Sequence, residues 1–196
     1  MRLPILFLGV LTFGYLTSGC GCCDDIDYQR VDSLSVVVHE NDSSIYDALE
    51  DSAVTSTDTL FLQSKMDVAF VASTRTSNWL INSANATSCD YGSKGLKDRL
   101  AFIVFNSDQV YNGVPAGEAI NAFVKGYGHN WDYATQTSTS VLLELPEVIN
   151  QINDSPYGEN FVFQKPAEPL YRRIRMTLVF ASGRYLVSES PVFKWE

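Results

Sequence analysis

Side chains that could do chemistry are sparse in this chain of 196 residues, which holds two histidines and four cysteines. His39 closes a β-branched run beside Glu40, and His129 stands in Gly126-Tyr127-Gly128-His129-Asn130-Trp131-Asp132-Tyr133. A hydrolytic triad built on His129 and Asp132 needs an activated serine, and no G-x-S-x-G elbow is present to expose one. The H-E-x-x-H, P-loop and EF-hand patterns are also missing, so no catalytic residue and no cofactor is assigned. Gly126-Tyr127-Gly128 opens like a dinucleotide fingerprint, but Trp131 takes the place of the third glycine and no strand-then-helix context surrounds it. Tyr127, His129, Trp131, Asp132 and Tyr133 together offer what a glycan site needs, aromatic faces for stacking and polar groups that orient hydroxyls. The competing expectation is that the same aromatics pack at a sheet margin with their polar tips wet.

Cys20, Cys22 and Cys23 cluster near the N-terminus, and Cys89 stands alone. A zinc site would need a fourth good ligand, and neither a second cysteine pair nor a nearby histidine supplies it, so no metal is expected. Outside the cytoplasm, one disulfide joining Cys22 or Cys23 to Cys89 fits the count and leaves one thiol over.

Arg2 is the only charge in the first 23 residues and precedes an apolar run from Ile5 to Leu16. That run falls short of the roughly 20 residues that span a bilayer and gives way to Thr17, Ser18 and Gly19, as in a secretory signal. The sequence Leu16-Thr17-Ser18-Gly19-Cys20 resembles the lipobox of bacterial lipoproteins, with its leucine one place further from the cysteine than in the commonest spacing. The resemblance implies cleavage before Cys20, a diacylglyceryl group on its thiol and an acyl chain on its amine. The expected first partner is therefore a membrane, reached through N-terminal lipid, and the expected location is the outer membrane. Two or more acyl chains hold a protein stably, because each buried methylene contributes about 0.8 kcal/mol. The alternative is an ordinary cleaved signal peptide ending near Gly19 or Gly21.

The formal charge of -9 is unevenly spread. Residues 24 to 58 hold ten acidic residues against Arg30 alone, whereas residues 59 to 196 hold thirteen acids and twelve bases. No basic excess exists to neutralise phosphates, so no nucleic-acid partner is expected. Asp24, Asp25 and Asp27 directly after the cysteine cluster resemble the surface-export signal of Bacteroidetes-type lipoproteins; a solvated linker is the plainer reading of the run, and whether the protein faces the cell surface or the periplasm stays open. The one basic cluster, Lys165, Arg172, Arg173, Arg175 and Arg184, reads as an exposed strand face guarding a sheet edge.

These residues must be carried by β structure. With 45% hydrophobic and 19% charged residues the chain can bury a core. Strand patterns occur at 33–39, 59–63, 67–73, 99–106, 160–164, 171–181 and 184–188, the pair at 59–63 and 67–73 reading as a hairpin across a polar break. In 171–181, Ile174, Met176, Leu178 and Phe180 alternate with Arg173, Arg175 and Thr177, the period of a half-exposed antiparallel strand. Short helices are expected at 119–124 and 146–153, the second with Pro146 in its first turn. The fold class that follows is mainly β, an antiparallel β-sandwich of immunoglobulin-like character with one or two short helices. The expected organisation is a signal peptide over 1–19, an acylated cysteine and acidic tether over 20–32, and a single sandwich domain over 33–196.

Gly92-Ser93-Lys94-Gly95-Leu96-Lys97-Asp98, Ile103 to Ser107, Pro115-Ala116-Gly117, Ile120-Asn121, Phe123 and Ser188-Glu189-Ser190-Pro191 form a pattern that resembles Bacteroidetes-type secreted lipoproteins carrying a domain of unknown function. That resemblance implies a β-rich envelope lipoprotein and transfers no functional residue. The expected role is a non-catalytic binding or structural module with a glycan or protein partner at the cell surface. An extracellular hydrolase acting on envelope or host polymers is the competing class.

Overall fold

The computed structural model describes residues 28–40, 48–71, 94–132, 137–156 and 158–196. Eleven strands and one α-helix are defined in them: β1 (Tyr28–His39), β2 (Ala53–Thr55), β3 (Thr59–Val71), β4 (Leu100–Ser107), β5 (Val124–Asp132), β6 (Thr137–Leu143), α1 (Leu145–Asp154), β7 (Asn160–Gln164), β8 (Tyr171–Arg172), β9 (Ile174–Phe180), β10 (Tyr185–Glu189) and β11 (Phe193–Trp195). The architecture is mainly β and antiparallel, a sandwich with one helix and one 3-10 turn at Asn121–Phe123. A five-stranded sheet, in the order β1-β3-β7-β5-β6, faces a three-stranded sheet in the order β10-β9-β4. A small third sheet, β2-β11-β8, adds the only parallel pairing among the named strands, β2 with β11. Among the described residues no helix is long and apolar enough to cross a membrane.

Alternation drives the layering. Val36 and Val38 of β1, Leu60, Leu62 and Met66 of β3, and Phe161 and Phe163 of β7 turn inward from the larger sheet. Ile103 and Phe105 of β4 meet them with Ile174, Met176, Leu178 and Phe180 of β9. Phe105 packs edge-on against Phe161 and Phe163, with ring centroids 4.9 and 5.3 Å apart. The last strand closes one end of this core: Phe193 and Trp195 are buried, and the indole Nε1 of Trp195 donates to Thr57 O at 2.6 Å.

The remaining opening, beside β4, is filled by α1. Its start follows from a capping box, in which the Glu144 carboxylate accepts from the backbone of Glu147 and Glu147 reaches back to the amide of Glu144, with Pro146 in the first turn. Val148 and Ile152, four residues apart, are buried together. Gly126 of β5 permits this seating, since a Cβ there would collide with Val148. At the far end of the helix, Asn153 acts as a substitute strand. Its side-chain oxygen accepts from Leu100 N at 2.7 Å, its amide donates to Leu100 O at 3.0 Å, and its own carbonyl accepts from Leu96 N at 2.8 Å. Gly95 lies against that same carbonyl with φ of 75°, a conformation and a proximity that both exclude a side chain. Asn121 repeats the device further along β4, accepting from Phe105 N at 2.8 Å and donating to Ile103 O at 2.7 Å.

Several expectations are corrected. The supposed hairpin of 59–63 and 67–73 is, as far as the described residues run, the single strand Thr59–Val71: Ser64 and Met66 are buried while Lys65 between them is exposed, so the alternation passes through the polar residues unbroken. Ser64 is tolerated inside because its hydroxyl donates to Glu159 O at 3.0 Å and accepts from Glu159 N at 2.9 Å. The amphipathic stretch at 119–124 is only a 3-10 turn leading into β5, and 171–181 divides at Arg173, whose amide leaves the ladder for Asp108 Oδ1 at 2.7 Å. The tether ends earlier than expected. Residues 28–32 belong to β1, with Gln29 and Val31 buried, and Tyr28 through Val31 pair with β3.

Asn153→Ala removes both partners of Leu100, and a buried orphan group costs about 1–3 kcal/mol. Urea unfolding should therefore show a loss of about 2–4 kcal/mol, against less than about 0.5 kcal/mol for Asn150→Ala on the exposed side of the same helix.

Candidate functional site

The segment singled out for ligand binding forms most of β5. Its backbone pairs with β7 only from Val124 to Tyr127, while its pairing with β6 continues from Gly126 to Asp132. β7 begins at Asn160, so the second half of β5 and all of β6 beyond that level form a two-stranded ribbon that outruns the sheet. Along β5, Tyr127, His129 and Trp131 occupy alternate positions and Asp132 falls on the opposite parity; Tyr133 lies outside the described residues. Tyr127 is half-buried, with its ring edge-on to Phe61 at 5.2 Å between centroids. The strand register thus brings three of the five residues to one parity and separates Asp132 from His129.

On the neighbouring side of this divide, β3 likewise continues past β7, pairing with β1 alone beyond Gln63. Glu159 sits where the two halves part, joined by its backbone to Ser64. Burial lifts its carboxyl to about 7, so the group titrates near neutrality. Sequence reasoning missed it, because Gly158-Glu159-Asn160 carries no motif and Ser64, which holds its backbone, lies 95 residues away.

The expected basic face does not exist as a patch. Arg172 is fully buried in the core: Nη1 donates to Val110 O at 3.2 Å, Nη2 donates to Glu168 O, and the guanidinium lies 5.1 Å from the centre of the Tyr111 ring. Desolvation lowers its pKa, with Tyr111, Glu168 and Asp108 opposing the shift. Tyr111 in turn donates its hydroxyl to Gln164 O at 2.5 Å, and desolvation pushes its pKa up. Arg175 and Arg173 both grip Glu189, at 2.6 and 3.2 Å, and the Arg175 hydrogen bond leads in holding that carboxyl below its ordinary range. Arg184 stacks over Phe180 at 4.1 Å and donates to Val31 O at 2.8 Å. These cations tie loops and sheets together.

Cys20, Cys22, Cys23 and Cys89 all lie outside the described residues. Within the described residues no three His, Cys, Asp or Glu side chains gather to hold a metal, and His39 is buried at the end of β1. An internal cavity of about 10 Å³ lies among Val38, Leu60, Leu62, Tyr111, Phe163 and Trp195. It has room for at most about one water, and its apolar walls offer such a water few partners.

Glu159 supplies a pH signature. Its folded pKa of about 7 lies above the ordinary value of 4.5, so the native state binds the proton more tightly and stability falls as pH rises from 4.5 to 7. One pKa unit is worth about 1.4 kcal/mol, and partial exposure reduces the total to about 1–2 kcal/mol. Glu159→Gln should remove that slope and be the more stable protein at pH 8, as measured by urea unfolding across pH. The chain has no match among protein-family models, curated proteins or solved structures.

Proposed function

We propose that this chain is a lipid-anchored lipoprotein of the outer membrane whose β-sandwich is a non-catalytic binding or structural module. The observation that carries the reading is the short distance between Cys20, the cysteine of the lipobox-like sequence, and the first strand. Only seven residues, 21–27, separate it from Tyr28. Even fully extended, that link reaches about 25–30 Å, so the sandwich is held close to the surface that carries the lipid. Asp24, Asp25 and Asp27 fall within this link and would be repelled by anionic headgroups within about a Debye length of 8–10 Å. Such a link favours a domain that stands off the bilayer. Read as an export signal, the acidic cluster would direct the domain to the cell surface; read as a solvated linker, it leaves the side of the outer membrane open.

The non-catalytic half of the reading draws on how the polar groups are employed. Arg172 carries loop carbonyls, Arg173 and Arg175 hold Glu189, and Asp98 accepts from both the amide and the hydroxyl of Ser182. The part of β5 that outruns β7 is the natural place for a surface ligand, with His129 and Trp131 there on the parity of Tyr127, the last residue paired with β7, for a glycan or protein partner.

Two measurements test this. Cys20→Ala should move the protein from the detergent phase to the aqueous phase and abolish incorporation of labelled palmitate, with the melting temperature of the sandwich unchanged; retention in detergent would defeat the anchor. Trp131→Ala should abolish retention on immobilised envelope glycans while the circular dichroism spectrum stays native, and unfolding instead would assign Trp131 to packing.

A further inference from the structure

An antiparallel sheet with one face on a core turns mainly polar residues outward on the other. The three-stranded sheet departs from that rule on its outer face. Val179 of β9 is paired with Tyr185 of β10 on one side and with Phe102 of β4 on the other, and in the next row Thr177 lies between Val187 and Val104. Phe102 is 64% exposed, Tyr185 67% and Val187 45%. Neither row carries a charge. Charge returns in the third row, where Arg175 stands between Glu189 and Asn106 and is bound to Glu189.

Simple alternation does not put Phe102 there. Leu100 pairs with Phe180 and Phe102 with Val179, so two steps along β4 are set against one along β9. The slip keeps Leu100 buried, where Asn153 holds its backbone, and turns Phe102, two residues on, to the outside. Bulges of this kind re-aim side chains and gather beside functional sites. This one brings Phe102 into the same row as Tyr185.

The size and charge of this face select its occupant. With strands about 4.8 Å apart and rows about 7 Å apart, the two uncharged rows make a strip of about 15 by 10 Å. Its two aromatic side chains together leave roughly 250 Å² in water. A stable protein partner, a second copy included, covers about 800 Å² on each side, well beyond the strip. A chain with a formal charge of -9 also repels anionic polymers, and the strip holds no cation to offset that. A slender neutral ligand with apolar faces and a polar rim fits both conditions, and a carbohydrate has that chemistry. Phe102 and Tyr185 stand two strand widths apart, about 10 Å, so one run of sugars can lie across both, over Val179. Thr177 in the adjoining row offers a hydroxyl to its rim. We propose that the outer face of β10-β9-β4 binds a neutral oligosaccharide laid across the strands and stacked on Tyr185 and Phe102. The inference rests on the reading of the sandwich as a binding module and adds a surface separate from β5. Two weak surfaces on one polymer reinforce each other, so loss of either releases the protein from an immobilised glycan while the other still takes a short one.

The full chain in detergent, titrated calorimetrically with soluble hexasaccharides of glucose, mannose and xylose, should bind at least one of them. Phe102→Ala and Tyr185→Ala should each weaken that binding about fivefold or more while circular dichroism stays native. Tyr171→Ala, at an exposed tyrosine of β8, and Trp131→Ala on β5 should leave it within about twofold. Should either ring variant fail to fold, Val187→Glu on the same face takes its place, with the same loss expected. Binding that survives removal of both rings, or that disappears with Trp131→Ala, overturns the proposal and puts the ligand elsewhere. Failure of every hexasaccharide to bind also overturns it, and retention on immobilised glycans that still depends on Trp131 would then leave the binding-module reading standing. Self-association in sedimentation that Phe102→Ala disrupts overturns it too and makes the face an interface between copies.

Discussion

The sandwich depends on closing the open side of β4 without a further strand. A three-stranded sheet facing a five-stranded one leaves backbone donors and acceptors along one margin, and an unpaired buried amide or carbonyl costs about 1–3 kcal/mol. Asn153 solves this at Leu100 with a side chain that both accepts and donates, as a neighbouring peptide group would, and Asn121 does the same at Ile103 and Phe105. The solution then constrains its surroundings. Asn153 must stand at the end of a helix packed beside the sheets, Gly126 must lack a side chain for that helix to approach, and Gly95 must adopt a left-handed conformation beside the Asn153 carbonyl.

A second constraint operates at the opposite margin of the core, where Arg172 is buried. A guanidinium so placed is tolerable because two of its nitrogens donate to loop carbonyls, those of Val110 and Glu168, and its face rests on Tyr111. The small β2-β11-β8 sheet is organised around the same region, through Phe193 opposite Arg172 and Trp195 reaching Thr57. Polar groups are thus spent on joining irregular chain to the sheets.

Much of the fold was legible from local pattern. Ile174, Met176, Leu178 and Phe180 announced their inward face by spacing alone, Asn160 to Gln164 was delimited as a strand at its true ends, and Pro146 with Val148, Ile149 and Ile152 marked the helix. Legibility failed where side chains act against their type. Ser64 and Lys65 look like a turn and lie within a strand, because a hydroxyl satisfied by Glu159 can take a core position. Arg172 looks like part of a solvent face and is buried. The glycine-rich and aromatic run at 126–132 carries no β-branched signal, yet it is a strand, held by neighbours on both sides at Gly126 and Tyr127 and by β6 throughout.

Sequence alone determined what depends on order along the chain: the apolar run ending at Leu16-Thr17-Ser18-Gly19-Cys20, the concentration of acid ahead of residue 59, the period of two in the strands, and hence a β-sandwich. Tertiary structure alone decided what depends on partners remote in the chain: Asn153 with Leu100 across 53 residues, Glu159 with Ser64 across 95, and Arg184 with Val31 across 153. The physical reason is that alternation records only which face of a strand is apolar. Hydrogen-bond partners and the burial of charge are properties of neighbours, and neighbours exist only once the sheets have assembled.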